Sequence, residues 1–120
     1  MDNRIDDVMV GWLARECRFY LGVRICERSP IGYTMKRRCV VAPKGDNDAL
    51  MSWLSLRHGI NARKIQDTDT IRKVIDILKP YEYIVKDIKR MKRMEEALNQ
   101  FPRRWNHDAV LRFVSFLEEE

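Results

Sequence analysis

Apolar residues recur at helical spacing in some stretches of the chain and at every second position in others, and this alternation sets the expected elements. Residues 8–14, Val-Met-Val-Gly-Trp-Leu-Ala, carry no charge and follow Asp6 and Asp7, two acids that suit the cap and the positive end of a helix dipole. The spacing predicts a helix over 6–16. Because that helix is apolar all round, it must be covered on more than one side. From Phe19 the period drops to two: Phe19, Leu21, Val23 and Ile25 share one face, and Tyr20, Arg24 and Arg28 the other. That is a half-buried strand with a basic, aromatic outer face. Ser29-Pro30-Ile31-Gly32 is turn chemistry, and 33–41 reads as the returning strand, with Met35, Cys39 and Val41 inward and Lys36 and Arg38 outward. A basic hairpin therefore occupies 18–42.

Asp46 or Asn47 caps a helix carrying Leu50, Trp53, Leu54 and Arg57, which Gly59 stops; 62–66 reads as a short strand. Residues 67–70 open another helix with Ile71, Val74, Ile75 and Leu78 on one face, closed by Lys79-Pro80. A longer helix places Ile84, Ile88, Met91, Met94 or Glu95, and Leu98 inward, with Lys86, Lys89, Arg90, Lys92 and Arg93 mostly outward. A terminal helix over 106–118 has Asn106 as its cap, Trp105 and Val110 as a hydrophobic staple, and Val110, Leu111, Val114 and Leu117 as its apolar stripe. With no internal repeat and no flexible linker, 1–120 reads as a single α+β domain.

Composition narrows the function. A chain of 120 residues that is 45% hydrophobic, with 5 Gly and 4 Pro, builds a core and is not a disordered tail. No apolar stretch approaches the roughly 20 residues that cross a bilayer, and the acidic start is unlike a signal peptide, so a cytoplasmic, nucleoid-associated protein with no membrane partner is expected. Cys17, Cys26 and Cys39 are odd in number and lack CxxC spacing, which argues against a disulfide frame or a zinc site. His58 and His107 sit at helix ends and are assigned no catalysis, and no Ser/His/Asp set or glycine-rich phosphate loop is present.

The 23 Lys and Arg exceed the 18 Asp and Glu for a net charge of +5, and the bases concentrate in 15–38 and 86–104. Arg18, Tyr20, Arg24, Arg28, Lys36 and Arg38 would line one face of a two-stranded ribbon with no acid among them, an arrangement that repels itself unless a polyanion is near. Such a ribbon fits a major groove about 12 Å wide, where Arg pairs with guanine, Lys neutralises phosphate and Tyr packs on sugar.

At 9–19, Met-Val-Gly-Trp-Leu-Ala-Arg-Glu-Cys-Arg-Phe, the chain resembles the LAGLIDADG homing endonucleases, whose motif helix ends in an acid just before a DNA-contacting strand. Gly11 falls on the motif's glycine, Glu16 on its catalytic acid and Phe19 on the aromatic that often opens the strand. The basic hairpin, the 40–44 entry into a helix ending His58-Gly59-Ile60, and the 71–81 run into a lysine-bearing helix follow in the family's order, so the resemblance covers roughly 8–100. It implies an antiparallel sheet saddle backed by helices, here with a shortened second hairpin, because the residues between Gly59 and Asp67 are too few for two ordinary strands.

One motif per chain implies a homodimer, with Val8, Gly11, Trp12 and Arg15 at the interface. The resemblance further implies double-stranded DNA as partner and Mg²⁺, or another divalent cation, on Glu16 for phosphodiester hydrolysis. Magnesium keeps most of its waters, so one carboxylate per subunit plus DNA phosphates can suffice. Glu16 and Lys86 become the catalytic residues; the family's lysine usually lies five positions after the proline of Pro-Tyr, and Lys86 lies six after Pro80. Ala14 replaces the motif's first acid, Arg15 a small residue that lets two motif helices touch, and Cys17 a glycine. Ala14, Arg15 and the short second hairpin favour a second reading, a cleavage-inactive DNA- or RNA-binding module of the same fold acting as a regulator or splicing helper.

Overall fold

The structure is a computed structural model that describes residues 4–25, 27, 28, 32–41, 48–100 and 107–118, with the side chains at 24, 33, 34 and 107–110 outside the description. The expected caps at Asp46 or Asn47 and Asn106, the Trp105–Val110 staple, the Ser29-Pro30-Ile31 part of the turn, and Cys26 all lie outside the described residues.

Helix α1 (Arg4–Glu16) begins earlier than the expected 6–16 and runs without a break into β1 (Cys17–Ile25), which pairs antiparallel with β2 (Tyr33–Val41). Asp6 and Asp7 fall inside the first turn of α1, where their charge suits the dipole. Then come α2 (Asp48–His58), a two-residue β3 (Lys64–Ile65), α3 (Thr68–Leu78), a 3₁₀ stretch (Lys79–Ile84), α4 (Ile88–Gln100) and α5 (His107–Glu118). The sheet has the order β1-β2-β3, and β3 pairs with Cys39 and Val40 of β2. The expected shortening of the second hairpin is thus severe: among the described residues no fourth strand follows β3.

The inward side of the sheet and the helices behind it form the core. Leu13, Cys17, Phe19, Cys39, Val41, Leu50, Leu54, Ile65, Ile71, Val74, Leu78, Met94 and Leu98 pack together with almost no exposed surface, and the face predicted for α3 is the buried one. A second cluster, Met35, Ala97, Phe113 and Phe116, carries α4 and α5 under the middle of the hairpin.

Four expectations on facing are corrected. Val23 and Ile25 share the parity of Phe19, yet Ile25 is 86% exposed, because no described helix reaches beneath the hairpin tip. Arg28 sits in the turn beyond β1 and not on the strand face. Ile84 is exposed, since Pro80 breaks the helix: the chain passes through the 3₁₀ stretch, with Tyr81 off helical geometry, and α4 starts only at Ile88. In α5 the fully buried side chains are Phe113 and Phe116, and of the expected aliphatic stripe Leu117 packs beside them partly buried while Leu111 is 54% exposed, so the aromatic pair leads the inward face.

Asp67 caps α3, accepting from the Thr70 backbone N–H (2.9 Å) and from the Thr70 hydroxyl. The hydroxyl bond, with the backbone bond adding to it, holds the Asp67 carboxyl below its ordinary value. Asp67→Ala is expected to lower stability by about 1 kcal/mol, seen as a lower urea midpoint at unchanged slope. The folded pKa is depressed, so this contribution is present above the ordinary aspartate pKa and fades as pH falls through the folded value. Equal midpoints at neutral pH would show that the cap contributes nothing.

Candidate nucleic-acid interface and catalytic floor

Because α1 ends at Glu16 and β1 starts at Cys17, the position of Glu16 is fixed by two rigid elements with no linker between them. Cys17 is fully buried against Cys39, their sulfurs 3.1 Å apart. The hydrogen bond with Cys39, and then burial, raise the Cys17 pKa well above the ordinary thiol value. Both cysteines are free thiols that plug the floor. Arg18 turns back and donates to the carbonyls of Arg15 (2.9 Å), an acceptor that the helix end leaves open, and of Cys17 (3.0 Å). The Glu16 carboxylate is half-buried and makes no hydrogen bond or ion pair among the described residues. It does not pair with Arg15 or Arg18.

Lys86 follows the 3₁₀ stretch and precedes α4, so its distance in sequence from Pro80 does not set its place. Its backbone does: the Lys86 N–H donates to the Ala14 carbonyl at 3.0 Å, bringing an exposed lysine beside the last turn of α1, near Glu16. The next residue, Asp87, accepts the Phe19 backbone N–H at 2.8 Å, and its other oxygen lies 4.0 Å from Arg90 Nε. Arg90 in turn sits over the Tyr20 ring, 5.8 Å from its centre.

On the outward face Tyr20 lies opposite Arg38 and Gly22 opposite Lys36, while Arg18 is one register step nearer the floor, opposite Val40. Tyr20 and Lys36 are exposed; Arg18 and Arg38 are half-buried. Arg24 pairs with Thr34 in the backbone register, its side chain outside the description. The structure therefore brings Arg18, Tyr20, Lys36 and Arg38 onto one surface rising from Glu16 and Lys86. It leaves Arg28 out in the turn. Val8, Gly11, Trp12 and Arg15 fall along one side of α1, with Val8 64% exposed and Trp12 tucked against the core.

Periodicity missed three groups. Arg37 shares the inward parity of Met35 and Cys39, and burial lowers its pKa, with Arg72 nearby adding to the effect. Arg93 was expected outward, but its guanidinium stacks 3.7 Å over the Phe116 ring and donates to the Phe116 carbonyl. Asp87 ties α4 to the edge of β1; the one sequence signal for it was an acid standing just before a helix. His58, at the end of α2, packs edge-on against Trp53 with its pKa lowered, chiefly by burial. Among the described residues no three His, Cys, Asp or Glu side chains gather as a metal cluster, and no helix is long and apolar enough to cross a membrane.

A helix that delivers an acid to the floor of an antiparallel sheet, with further helices behind, is the architecture of the LAGLIDADG homing endonucleases, and this chain has that fold. The crystal structure of a homing endonuclease, I-TnaI, is similar to it over 99% of this chain and 88% of that one, with a TM-score of 0.72 and 17% sequence identity. No protein-family model matches the sequence, and comparison with curated proteins finds no match.

Proposed function

We propose that this protein binds double-stranded DNA and cleaves it as a homodimer, using Mg²⁺ held by Glu16. The observation that carries the reading is the Glu16 carboxylate: it stands at the foot of a basic ribbon, close to the segment of Lys86 that bonds the last turn of α1, and has no hydrogen-bond or ion-pair partner among the described residues. The donor set fits a magnesium ion shared with DNA, since Mg²⁺ takes one or two carboxylates and completes its shell with waters and phosphate oxygens. When bound, such an ion supplies charge neutralisation at the phosphate and helps generate the water nucleophile. The chain's own residues do the rest. Glu16 fixes the depth at which a scissile phosphate sits, Lys86 supplies a second positive charge, and buried Cys17 and Cys39 keep the floor closed from below.

Strands β1 and β2 have nine residues each and so reach roughly 30 Å, about nine base pairs of groove. With β3 too short to add a second ribbon, contact within each half-site is confined to that one track. Arg38→Ala is expected to cost about 1–3 kcal/mol of DNA affinity and to relax preference at one base position. Lys89→Ala, on exposed helix surface, is expected to weaken binding slightly and equally for all sequences. Indistinguishable, sequence-independent losses would mean a purely electrostatic surface.

The deciding experiment incubates the purified protein with a random duplex library in Ca²⁺ and in Mg²⁺ and sequences both bound and cut molecules. Enrichment in both with cuts only in Mg²⁺ supports the nuclease. Enrichment without cuts in either ion assigns the fold to a binding module, the reading that the exposed Arg15 on the α1 face favours. Preference for RNA over every duplex, in a parallel selection with an RNA library, would overturn the nuclease reading and assign the fold to the RNA-binding form of the module.

A further inference from the structure

The segment joining the 3₁₀ stretch to α4 is bonded to the α1–β1 junction on both sides of Glu16. Upstream of it, the Lys86 N–H reaches the Ala14 carbonyl; downstream, the Phe19 N–H reaches the Asp87 carboxylate. The two protein groups that would face a scissile phosphate, Glu16 and Lys86, thus lie on segments held together by two hydrogen bonds from adjacent residues.

The second of these bonds is unusual in kind. Among the described residues strand β1 is paired only with β2, so alternate backbone groups, Phe19's among them, point away from the sheet. Phe19 is almost fully buried, and its N–H would be an orphan donor without a partner at that edge. A neighbouring strand would satisfy it with a carbonyl. Here a carboxylate does so, and an ionised acceptor makes the stronger, shorter bond. Asp87 is itself held: its carbonyl accepts the Met91 N–H as the first bond of α4, and its carboxylate is largely buried beside Arg90. Its backbone is anchored to one element and its side chain to another. A lysine carries a flexible four-carbon stem, so fixing the stem's origin decides how often its ammonium meets the phosphate.

We propose that Asp87 is a positioning residue that holds Lys86 against the floor formed by Glu16, acting through its bond to the Phe19 N–H. This rests on the nuclease reading for its consequence in catalysis, but the placement of Lys86 can be read without any cleavage. Through Arg90, which stacks over Tyr20, the same residue links the floor to the DNA-facing side of β1.

The test uses the full chain with Asp87→Ala, Asp87→Asn, Lys86→Ala and the Asp87→Ala/Lys86→Ala pair. Amide hydrogen exchange is followed at Phe19 and Lys86, with Ile75 in α3 as the reporter of global stability. In Asp87→Ala, protection is expected to fall about tenfold at both Phe19 and Lys86 while Ile75 is unchanged. Asp87→Asn retains an acceptor oxygen and is expected to keep most of that protection. Faster exchange at Phe19 with Lys86 unaltered would overturn the proposal, because Asp87 would then only cap a strand edge. If Asp87→Ala fails to fold, the Asp87→Asn comparison decides: a small loss shared by both amides without any effect at Ile75 supports the proposal, and loss at Phe19 alone overturns it.

On a cleavable duplex, Asp87→Ala is expected to slow single-turnover cutting by about ten- to a hundredfold at nearly unchanged DNA affinity. The double variant is expected to be no slower than Lys86→Ala. Additive losses would mean that Asp87 does not act through Lys86. A wild-type protein that cuts no duplex would defeat the nuclease reading alone, leaving the placement of Lys86 to the exchange data.

Discussion

Glu16→Gln is expected to abolish Mg²⁺-dependent cleavage while DNA affinity stays equal or rises. Glutamine keeps the length of the side chain and its oxygen, but lacks the charge that holds a divalent ion against its waters. An ion at a phosphoryl centre is worth several kcal/mol, and each 1.36 kcal/mol is tenfold, so the loss should be roughly a thousandfold or more. Affinity moves the other way because a negative charge leaves a surface that phosphates approach. The structure makes this variant clean. The Glu16 carboxylate makes no hydrogen bond or ion pair among the described residues, so the change removes no contact and should leave the thermal midpoint where it was. Undiminished cutting would take Glu16 out of the active site. A large drop in stability would mean that the carboxylate has a structural role instead.

The parts of this molecule legible in the sequence are those where one local rule acts without competition. Strict alternation from Phe19 and the inward Met35, Cys39 and Val41 fixed the hairpin's parity, and the 71, 74, 75 and 78 spacing fixed the buried face of α3. Alternation tells which face is apolar, not whether anything covers it, which is why Val23 and Ile25 were assigned inward and are exposed at the tip. In α5 two neighbouring stripes compete, and Phe113 and Phe116 prevail over Leu111 by filling more of the space under β2. The site was legible only at its near end. Glu16 stood out as an acid at a helix-to-strand boundary, whereas the bond from the Phe19 N–H to Asp87 spans residues far apart in the chain and leaves no periodic trace.

Gly11→Leu is expected to strengthen the folded monomer and break the homodimer, two effects of opposite sign from one substitution. Within the single chain a Cβ at Gly11 meets no heavy atom within 4 Å, so a larger side chain is free to form and gains roughly 0.5–1 kcal/mol of helix propensity. That open space lies on the same side of α1 as Ile5 and Val8, both more than 60% exposed. Residues 5, 8, 12 and 15 follow helical spacing, so they form one stripe with Gly11 beside its centre. Left wet, that stripe forfeits about 25 cal/mol for each Å² of apolar surface that a twin helix would cover. At a helix pair the glycine is where two backbones approach most closely, and leucine there holds them apart. Arg15 marks the limit of the stripe: it is exposed and does not pair with Glu16, so it fits at the rim, where an unpaired guanidinium stays in water. Sedimentation at roughly tens of micromolar protein should find the wild type as a dimer and Gly11→Leu as a monomer, with a thermal midpoint that depends on protein concentration for the wild type and not for the variant. Since each chain brings one Glu16, the variant should also lose concerted cutting of both strands while its ribbon still binds a half-site. A wild-type monomer, or a Gly11→Leu protein that dimerises as tightly as the wild type, would refute pairing through α1 and with it the two-carboxylate floor.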